Sequence, residues 1–504
     1  MKHESRIDRR NFIQRSLAAA VAAGSVTAGS APGTLRGSES GGSQRFEPPF
    51  PAKADAMVMI WLPGGVAQTD TWDPKQFTPY RQGMTGDQIL GTCESIPTSV
   101  DGIRLGKGLE GIASVMHHGT ILRSLTNETK FGAIHQKAQH YMMTGYIPPV
   151  GLKAPSIGAI VSRTLGRRHP HLPPYIYIGR DIDTSHAEKL FISEYLGPGF
   201  YGPKYQPFMI PNAASGMAAL NAYAGMTRAR LDRRDALLRN LFAQQSVLKD
   251  SAKAANYMQT LNDARAMMDS PVKEAFDYLA QESEETLRAY EPRIASDQLA
   301  DGSYFHGRRF GHGLLLTRRL LERGARFVQV EYEYGPFKGF DMHEDGATRM
   351  VEMKRQIDGP ITQLIRDLHE RGMLERTIVM IATEFGRTIA SAPAAGTEPL
   401  GFAERHTGEK LVIGTPKMYG FHGHFSSANC LVFFGGGFRP GFVYGKTADR
   451  HPMLPVENPV SLEDAQATMY KALGIPADHS YLTESRPFYV TKDGKGQPVD
   501  ALLT

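Results

Sequence analysis

The sequence predicts an α/β protein built on a mainly parallel sheet flanked by helices, with one long helical insertion. Three observations lead there. Short, continuously apolar runs end in turn residues, as strands buried on both faces do. Segments of helical spacing alternate with them, the rhythm of strand–helix units. From about 216 to 292 that rhythm stops, and Arg, Leu, Ala, Glu and Met recur at helical period with few breakers.

The elements follow in order. Met57–Leu62 reads as the first buried strand, ended by Pro63-Gly64-Gly65. Gly119–Leu125 is a second strand and Ala133–Thr144 a helix. Tyr175–Ile178, behind Pro173-Pro174, is a short strand. Within the helical insertion, Leu231, Leu237, Leu238 and Leu241, then Met258, Leu261 and Ala264, form helical stripes. The heptad is not sustained, so a coiled coil is the poorer reading. The alternation then returns. His312–Arg323 is a helix capped by Gly324, Phe327–Glu331 a strand, Gln356–Arg371 a helix stopped by Gly372, and Thr377–Thr383 a strand. Asn429–Phe434 is a strand ended by three glycines. Ser461–Leu473 is a final helix with Ser461 at its N-cap and Glu463 and Asp464 in its first turn.

Composition narrows the function classes. The chain has 504 residues, 41% hydrophobic and 22% charged, enough for a large core and too apolar for a disordered chain. Two cysteines, Cys93 and Cys430, exclude a disulfide scaffold and a Cys-rich metal site. Net charge is +5, from 57 basic and 52 acidic residues. Residues 1–31 carry five of the basic and two of the acidic ones, so 52 and 50 remain beyond them. That balance is not the footprint of a nucleic-acid binder. The basic cluster Arg228–Arg234 is interleaved with acids, as on a solvated helix face.

The first 31 residues read as an address. Asp8-Arg9-Arg10-Asn11-Phe12-Ile13-Gln14 resembles the bacterial twin-arginine export motif, and a weakly apolar, Ala-rich run follows it from Leu17 to Ala28. That run is too short to span a bilayer comfortably. The expected organisation is a signal peptide over 1–31, a linker over 32–53 and one domain over 54–504. The implied partner is the twin-arginine translocase, and the implied location is periplasmic or extracellular. No transmembrane anchor is expected in the mature chain.

In open α/β sheets, ligands bind outside the carboxyl ends of the strands. Gln68, Asp70 and Asp73 follow the first strand, and His135 follows the second. Asp341 and His343 follow the Phe327 strand, Glu384 and Arg387 follow the Thr377 strand, and His422 and His424 precede the Asn429 strand. Oxygen and imidazole donors of this kind suit a divalent metal. Singly, each has an ordinary reading. Asp341-Met342-His343 could be a loop hydrogen-bond pair, and His422-Gly423-His424 a packing feature. Glu384 with Arg387 could be a salt bridge, and Asp70 and Asp73 turn formers before Pro74. Their joint placement at one sheet edge is what favours a site.

Those segments also carry a resemblance. Trp61-Leu62-Pro63-Gly64-Gly65, Gln68-Thr69-Asp70-Thr71-Trp72-Asp73-Pro74-Lys75, Met143-Thr144-Gly145, Asp341-Met342-His343, Glu384-Phe385-Gly386-Arg387-Thr388 and Gly435-Gly436-Gly437 occur in that order. From about residue 54 onward the chain resembles the exported, sulfatase-like bacterial proteins catalogued as a domain of unknown function. It thereby resembles the alkaline phosphatase/sulfatase superfamily. The resemblance implies an alkaline-phosphatase-like fold. It also implies metal ligands at Asp70, Asp341, His343, Glu384 and His424, and catalytic roles for His135 and Arg387. Gln68 and His422 are implied to contact substrate.

The chain departs from the superfamily pattern. It has no Cys-x-Pro-x-Arg signature, and His135 stands at the nucleophile position, nine residues before Thr144. Phe385 stands where a second imidazole ligand would be. One divalent ion, zinc, manganese or calcium, is therefore the expected cofactor. His135 is expected to act as base or oxyanion partner to a metal-activated water, and Arg387 to hold an anionic substrate. Two functions follow from the resemblance. One is a metal-dependent hydrolase of sulfate or phosphate esters, acting on an anionic small molecule or glycan. The other is a non-catalytic envelope protein that uses the fold for binding.

Overall fold

The computed structural model describes residues 46–126, 134–147, 153–179, 195–221, 226–244, 252–293, 306–333, 338–389, 411–483 and 486–504. The arginine pair, the rest of the leader and most of the linker lie outside the described residues.

The central sheet is mixed and mainly parallel, as the sequence predicts. Its strands are β1 (Ala56–Trp61), β2 (Gly119–Thr126), β3 (Tyr175–Ile178), β4 (Phe208–Ile210), β5 (Phe327–Glu331), β6 (Thr377–Ala382), β7 (Asn429–Phe434) and β8 (Phe442–Tyr444). Their order across the sheet is β8-β2-β7-β6-β1-β5-β3-β4. A short strand, β9 (Val460–Ser461), also pairs with β2. From β6 to β4 every pairing is parallel. Only β7 runs against its neighbours β6 and β2. That reversal matters for the site. It brings the segment before β7 to the same edge as the segments after β1, β2, β5 and β6.

Strand β1 shows why a continuous apolar run is required. Its residues alternate between two cores: Ala56, Val58 and Ile60 face one, and Met57, Met59 and Trp61 the other. All six are fully buried. Each large side chain removed from water in this way contributes about 1.5–3 kcal/mol. The first core is closed by α5 (Gly307–Glu322) and α6 (Gly346–Glu370). The second is closed by α1 (His135–Thr144), α2 (Ile157–Leu165) and α7 (Leu462–Ala472). Helix α6 presents Met350, Met353, Ile357, Ile361, Leu364 and Leu368 as one apolar stripe. It begins ten residues before the expected start at Gln356 and carries Pro360 inside it. The packing of Met350 and Met353 outweighs the poor helix propensity of Gly346 and Thr348. At the start of α7, the Ser461 hydroxyl accepts from the Asp464 amide at 3.1 Å and so caps the helix N-terminus.

Residues Arg228–Gln244 (α3) and Ala252–Asp269 (α4) pair antiparallel. Arg228 meets Asp269 at 2.6 Å, and Arg265 meets Asp232 at 3.1 Å and Asp235 at 2.7 Å. The helical spacing read for this stretch is borne out, with Leu237 61% and Leu241 46% exposed and Leu231 and Leu238 partly buried. No described helix is long and apolar enough to cross a membrane.

Candidate metal centre

The loop after β1 is the floor of the site. Gly64 and Gly65 have φ of +114° and +80°. A Cβ on Gly64 would lie 2.5 Å from the Asp341 amide nitrogen, and one on Gly65 would lie 2.6 Å from the Phe385 ring. Only glycine permits both the turn and the approach. The Gly64 amide donates to Glu384 Oε1 at 2.9 Å.

Above that floor, four segments converge on one carboxylate oxygen. Asp341 Oδ1 lies 3.1 Å from His135 Nε2, 3.1 Å from His343 Nε2, 3.6 Å from His424 Nε2 and 2.7 Å from Arg387 Nη2. His135 opens α1, Asp341 and His343 follow β5, Arg387 follows β6, and His424 precedes β7. The short antiparallel pairing of His424 with Arg387 and Phe425 with Gly386 fixes their spacing. His135, Asp341 and His424 offer ligand atoms that all lie within 4.8 Å of one another.

Glu384 stands behind His135 and does not join that group. Its Oε1 is 2.7 Å from His135 Nδ1 and also accepts from Gln139 Nε2 at 3.1 Å. The result is a line from Glu384 through the imidazole to Asp341. A carboxylate on Nδ1 is the usual way a ligating imidazole is oriented, with Nε2 directed at the ion. Gln139 went unnoticed in the sequence, although it lies four residues after His135 and so on the same helix face. Phe385 packs its ring against His135 and His424, with centroids 4.9 and 4.6 Å apart.

Arg387 is fully buried. Its Nε donates to Gly65 O at 3.0 Å and its Nη1 to Met342 O at 3.1 Å. Its Nη2 donates to Gly64 O as well as to Asp341. In this way Arg387 ties three loops together. Its charge is spent on Asp341 and its donors on carbonyls. Gln68 is likewise engaged: its side-chain amide bonds the backbone of Arg387 in both directions, at 2.8 and 3.0 Å.

Asp70 and His422 lie apart from the Asp341 group. Asp70 Oδ1 accepts from Thr92 Oγ1 at 2.8 Å, and Oδ2 is 3.8 Å from His422 Nε2. Neither Asp70 Oδ2 nor either His422 ring nitrogen has a hydrogen-bond partner. A cleft with an empty volume of about 290 Å³, bordered by Glu331, Glu333 and Arg309, lies elsewhere and includes none of the Asp341 cluster.

The electrostatics follow from burial and neighbours. Burial pulls the His135 imidazolium down, but Asp341 and Glu384 on its two sides outweigh this and raise it to about 9. Burial alone would raise the Asp341 carboxyl, yet His135, His343 and His424 hold it well below the usual carboxylate range. Glu384 is lowered in the same way, chiefly by His135 against its own burial. Burial, with Arg387 adding to it, pushes His424 down to about 3. Burial also lowers His343 and takes His422 to about 4. Neutral His343 and His424 are in the protonation state a metal ligand needs.

The donor set fits a divalent ion. Three imidazole Nε2 atoms and a guanidinium crowd a single carboxylate oxygen, more donors than its lone pairs accept in good geometry. Imidazoles with one carboxylate are typical zinc ligands, and manganese accepts the same types. The side chains of His135 and His343, each 11% exposed, are the most open of the four that meet at Asp341 Oδ1. That side is where solvent or a ligand reaches the cluster.

Comparison with known proteins comes next to this geometry. A family model described as "Protein of unknown function (DUF1501)" matches residues 54–503, and the chain belongs to that family. No protein of curated function matches. Among solved structures, the chain is similar to a protein in the alkaline phosphatase superfamily from Vibrio parahaemolyticus. There the identity is 8%, with 88% of this chain and 70% of that one covered, at a TM-score of 0.36. It is similar to the phosphonate monoester hydrolase SpPMH from Silicibacter pomeroyi at 12% identity, covering 90% and 76%, with a TM-score of 0.32. It is similar to the PsFucS1 sulfatase from Pseudoalteromonas sp. at 12% identity, covering 88% and 73%, with a TM-score of 0.34. Likeness at that level says nothing of shared chemistry.

Proposed function

We propose that this chain is a metal-dependent hydrolase of sulfate or phosphate esters, acting outside the cytoplasm. The convergence of His135, His343 and His424 Nε2 on Asp341 Oδ1 carries this reading. His135, Asp341 and His424 would hold one divalent ion, with His343 beside them. When bound, such an ion polarises an ester oxygen and lowers the pKa of a water.

The chain's own residues do the rest. Glu384, itself held by Gln139 and the Gly64 amide, fixes the His135 ring. Arg387 fixes Asp341 against the loop after β1. Phe385 keeps water from one side of the His135 and His424 rings. No Ser, Thr or Cys stands at the start of α1, so no covalent ester intermediate on such a side chain is expected. In this reading His135 is a ligand more than a base, and Arg387 a positioning residue. Export by the twin-arginine route rests on Arg9-Arg10 and the apolar run behind them.

One observation favours a second reading, a binding protein without catalysis. Asp341 and Glu384 against Arg387 and protonated His135 make a cluster balanced in charge without an ion. Elemental analysis of protein purified from its native compartment, paired with turnover assays on sulfate, phosphate and phosphonate esters, separates the two. One equivalent of metal with turnover supports the hydrolase. Metal-free protein that stays inactive after metal addition overturns it in favour of the binding protein.

A further inference from the structure

Cys93 and Lys354 lie outside the metal centre, and nothing in the proposed function uses them. Lys354 sits on the inner face of α6 with its side chain fully buried. A buried ammonium needs partners, and this one has two: it donates to the Asp70 carbonyl at 3.1 Å and to Cys93 Sγ at 3.0 Å. Cys93 is half-buried, so small oxidants reach it from outside while the amine approaches from within. The other cysteine, Cys430, is buried in the first core, which leaves Cys93 no disulfide partner within the chain. Burial raises the Cys93 thiol, against the pull of Lys354, so it is not a general thiolate trap. Its neighbour directs its chemistry.

We propose that Cys93 and Lys354 form a reversible covalent bridge in which one oxygen atom joins Sγ to Nζ. The oxidant is dioxygen. The thiol loses its S–H hydrogen, the ammonium loses two hydrogens, one of them as a free proton, and S–O and O–N bonds form. Sulfur and nitrogen each give up two electrons. Dioxygen takes all four, one of its atoms becoming the bridge and the other leaving as water. A single oxygen fills most of the gap already present between the two atoms. The remaining N–H continues to donate to the Asp70 carbonyl.

The bridge would tie together positions 261 residues apart in sequence. On one side is the segment carrying Thr92 and Cys93. On the other is α6, whose first residue, Gly346, comes three after His343. Closing so long a loop constrains the unfolded chain, as a disulfide does. Four thiols reverse the link: two cleave S–O by attack at sulfur and leave a hydroxylamine on Lys354, and two more reduce N–O to the amine, with two disulfides and one water as products.

The test is intact mass on the full chain, purified without reductant and exposed to air, before and after reduction. The bridge adds one oxygen and removes two hydrogens, a gain of about 14 Da relative to the reduced chain. Reduction should remove the gain, and digestion should give one cross-linked peptide containing Cys93 and Lys354. Cys93→Ser and Lys354→Arg should each abolish the gain. The thermal midpoint of the oxidised parent should fall by about 5 °C on reduction, and that of Cys93→Ser should not move. An unchanged mass after prolonged aeration overturns the proposal. So does oxygen added to Cys93 with Lys354 free, a loss of two hydrogens without oxygen, or a gain that persists in Cys93→Ser. If Lys354→Arg does not fold, the cross-linked peptide from the parent and the Cys93→Ser control decide alone.

Discussion

Two buried Asp–His groupings lie near one edge of the sheet, and they differ in what surrounds the carboxylate. Asp341 Oδ1 has three imidazole nitrogens and a guanidinium within 3.6 Å. Asp70 has one hydroxyl at 2.8 Å and an imidazole at 3.8 Å, beyond hydrogen-bond reach. Both aspartates are at most 2% exposed, so burial does not separate them. Topology does. Asp341 lies where the segments after β2, β5 and β6 and the segment before β7 meet. Asp70 lies in a short turn after β1, backed by Thr92 and Lys354. In the proposed reading, donor type and burial do not distinguish the metal site from Asp70, and convergence from separate elements does.

The largest effect should come from Asp341→Asn. It leaves protonated His135 and Arg387 buried without their shared counter-charge, a loss on the order of 3–5 kcal/mol by denaturant unfolding. Metal content should fall to background. A variant that kept both stability and metal would erase the distinction between the two aspartates.

Arg387→Lys comes next, at about 2–4 kcal/mol. A single ammonium cannot replace a fork that reaches Gly64, Gly65, Met342 and Asp341 together. If the arginine instead gripped substrate, the same variant would unfold normally and raise KM, so denaturation and kinetics run side by side tell which role it has.

Glu384→Gln tests the orienting role with a gentler change. The amide still bonds His135 but no longer stabilises its charge. Metal affinity should weaken about 10–100-fold with the fold intact. A complete loss of metal would make Glu384 a ligand, as the sequence expectation had it.

The pH dependence of the metal-free protein sharpens the comparison further. The His135 value is raised to about 9 in the folded state, from an ordinary value of 6.5. Its stabilising share is therefore complete below about 6.5 and lost as pH rises through about 9. Asp341 and Glu384 are lowered, so their share is complete above ordinary carboxylate values and lost as pH falls through their folded ones. Stability should peak between about pH 5 and 7. Metal uptake must displace the His135 proton, so affinity should rise about tenfold per pH unit up to about 9. Flat titrations of both quantities would mean that His135 is not charged in the metal-free protein.

How much of this was legible in the sequence depends on the kind of information. Strands buried on both faces announce themselves: Tyr175–Ile178, Phe327–Glu331 and Asn429–Phe434 have the same limits in the sequence reading and in the structure. Phe208–Ile210 is three residues long at a sheet edge, too short for a periodic signal. Helix α2 was missed although Ser156 caps it, because its Ile-Gly-Ala-Ile-Val run reads equally as a strand. For the site, the order of elements placed His135, Asp341, His343, Glu384 and His424 near one edge. The direction of each side chain was not in the sequence. Glu384 faces Nδ1 of His135, Arg387 turns under the floor, and Asp70 pairs with Thr92. Those outcomes depend on the close approach at Gly64 and Gly65, a tertiary fact.

The smallest effect belongs to Asp70→Asn, and its smallness is the informative part. The substitution keeps shape and volume. The Thr92 hydroxyl at 2.8 Å can still donate to the amide oxygen. His422, held near 4 mainly by burial, is neutral at pH 7, so no charged pair is lost across the 3.8 Å gap. Lys354 bonds the Asp70 main-chain carbonyl, which the substitution leaves in place. Removing a buried carboxylate that has only one hydrogen bond also relieves a desolvation cost. The net change should stay within about 1 kcal/mol in either direction, and metal content should match the parent. Measured beside Asp341→Asn in one denaturation and elemental-analysis series, it isolates convergence as the cause, because residue type and burial are shared by the two. A loss of metal from Asp70→Asn equal to that from Asp341→Asn would place Asp70 among the ligands and require the loop after β1 to move when the ion binds.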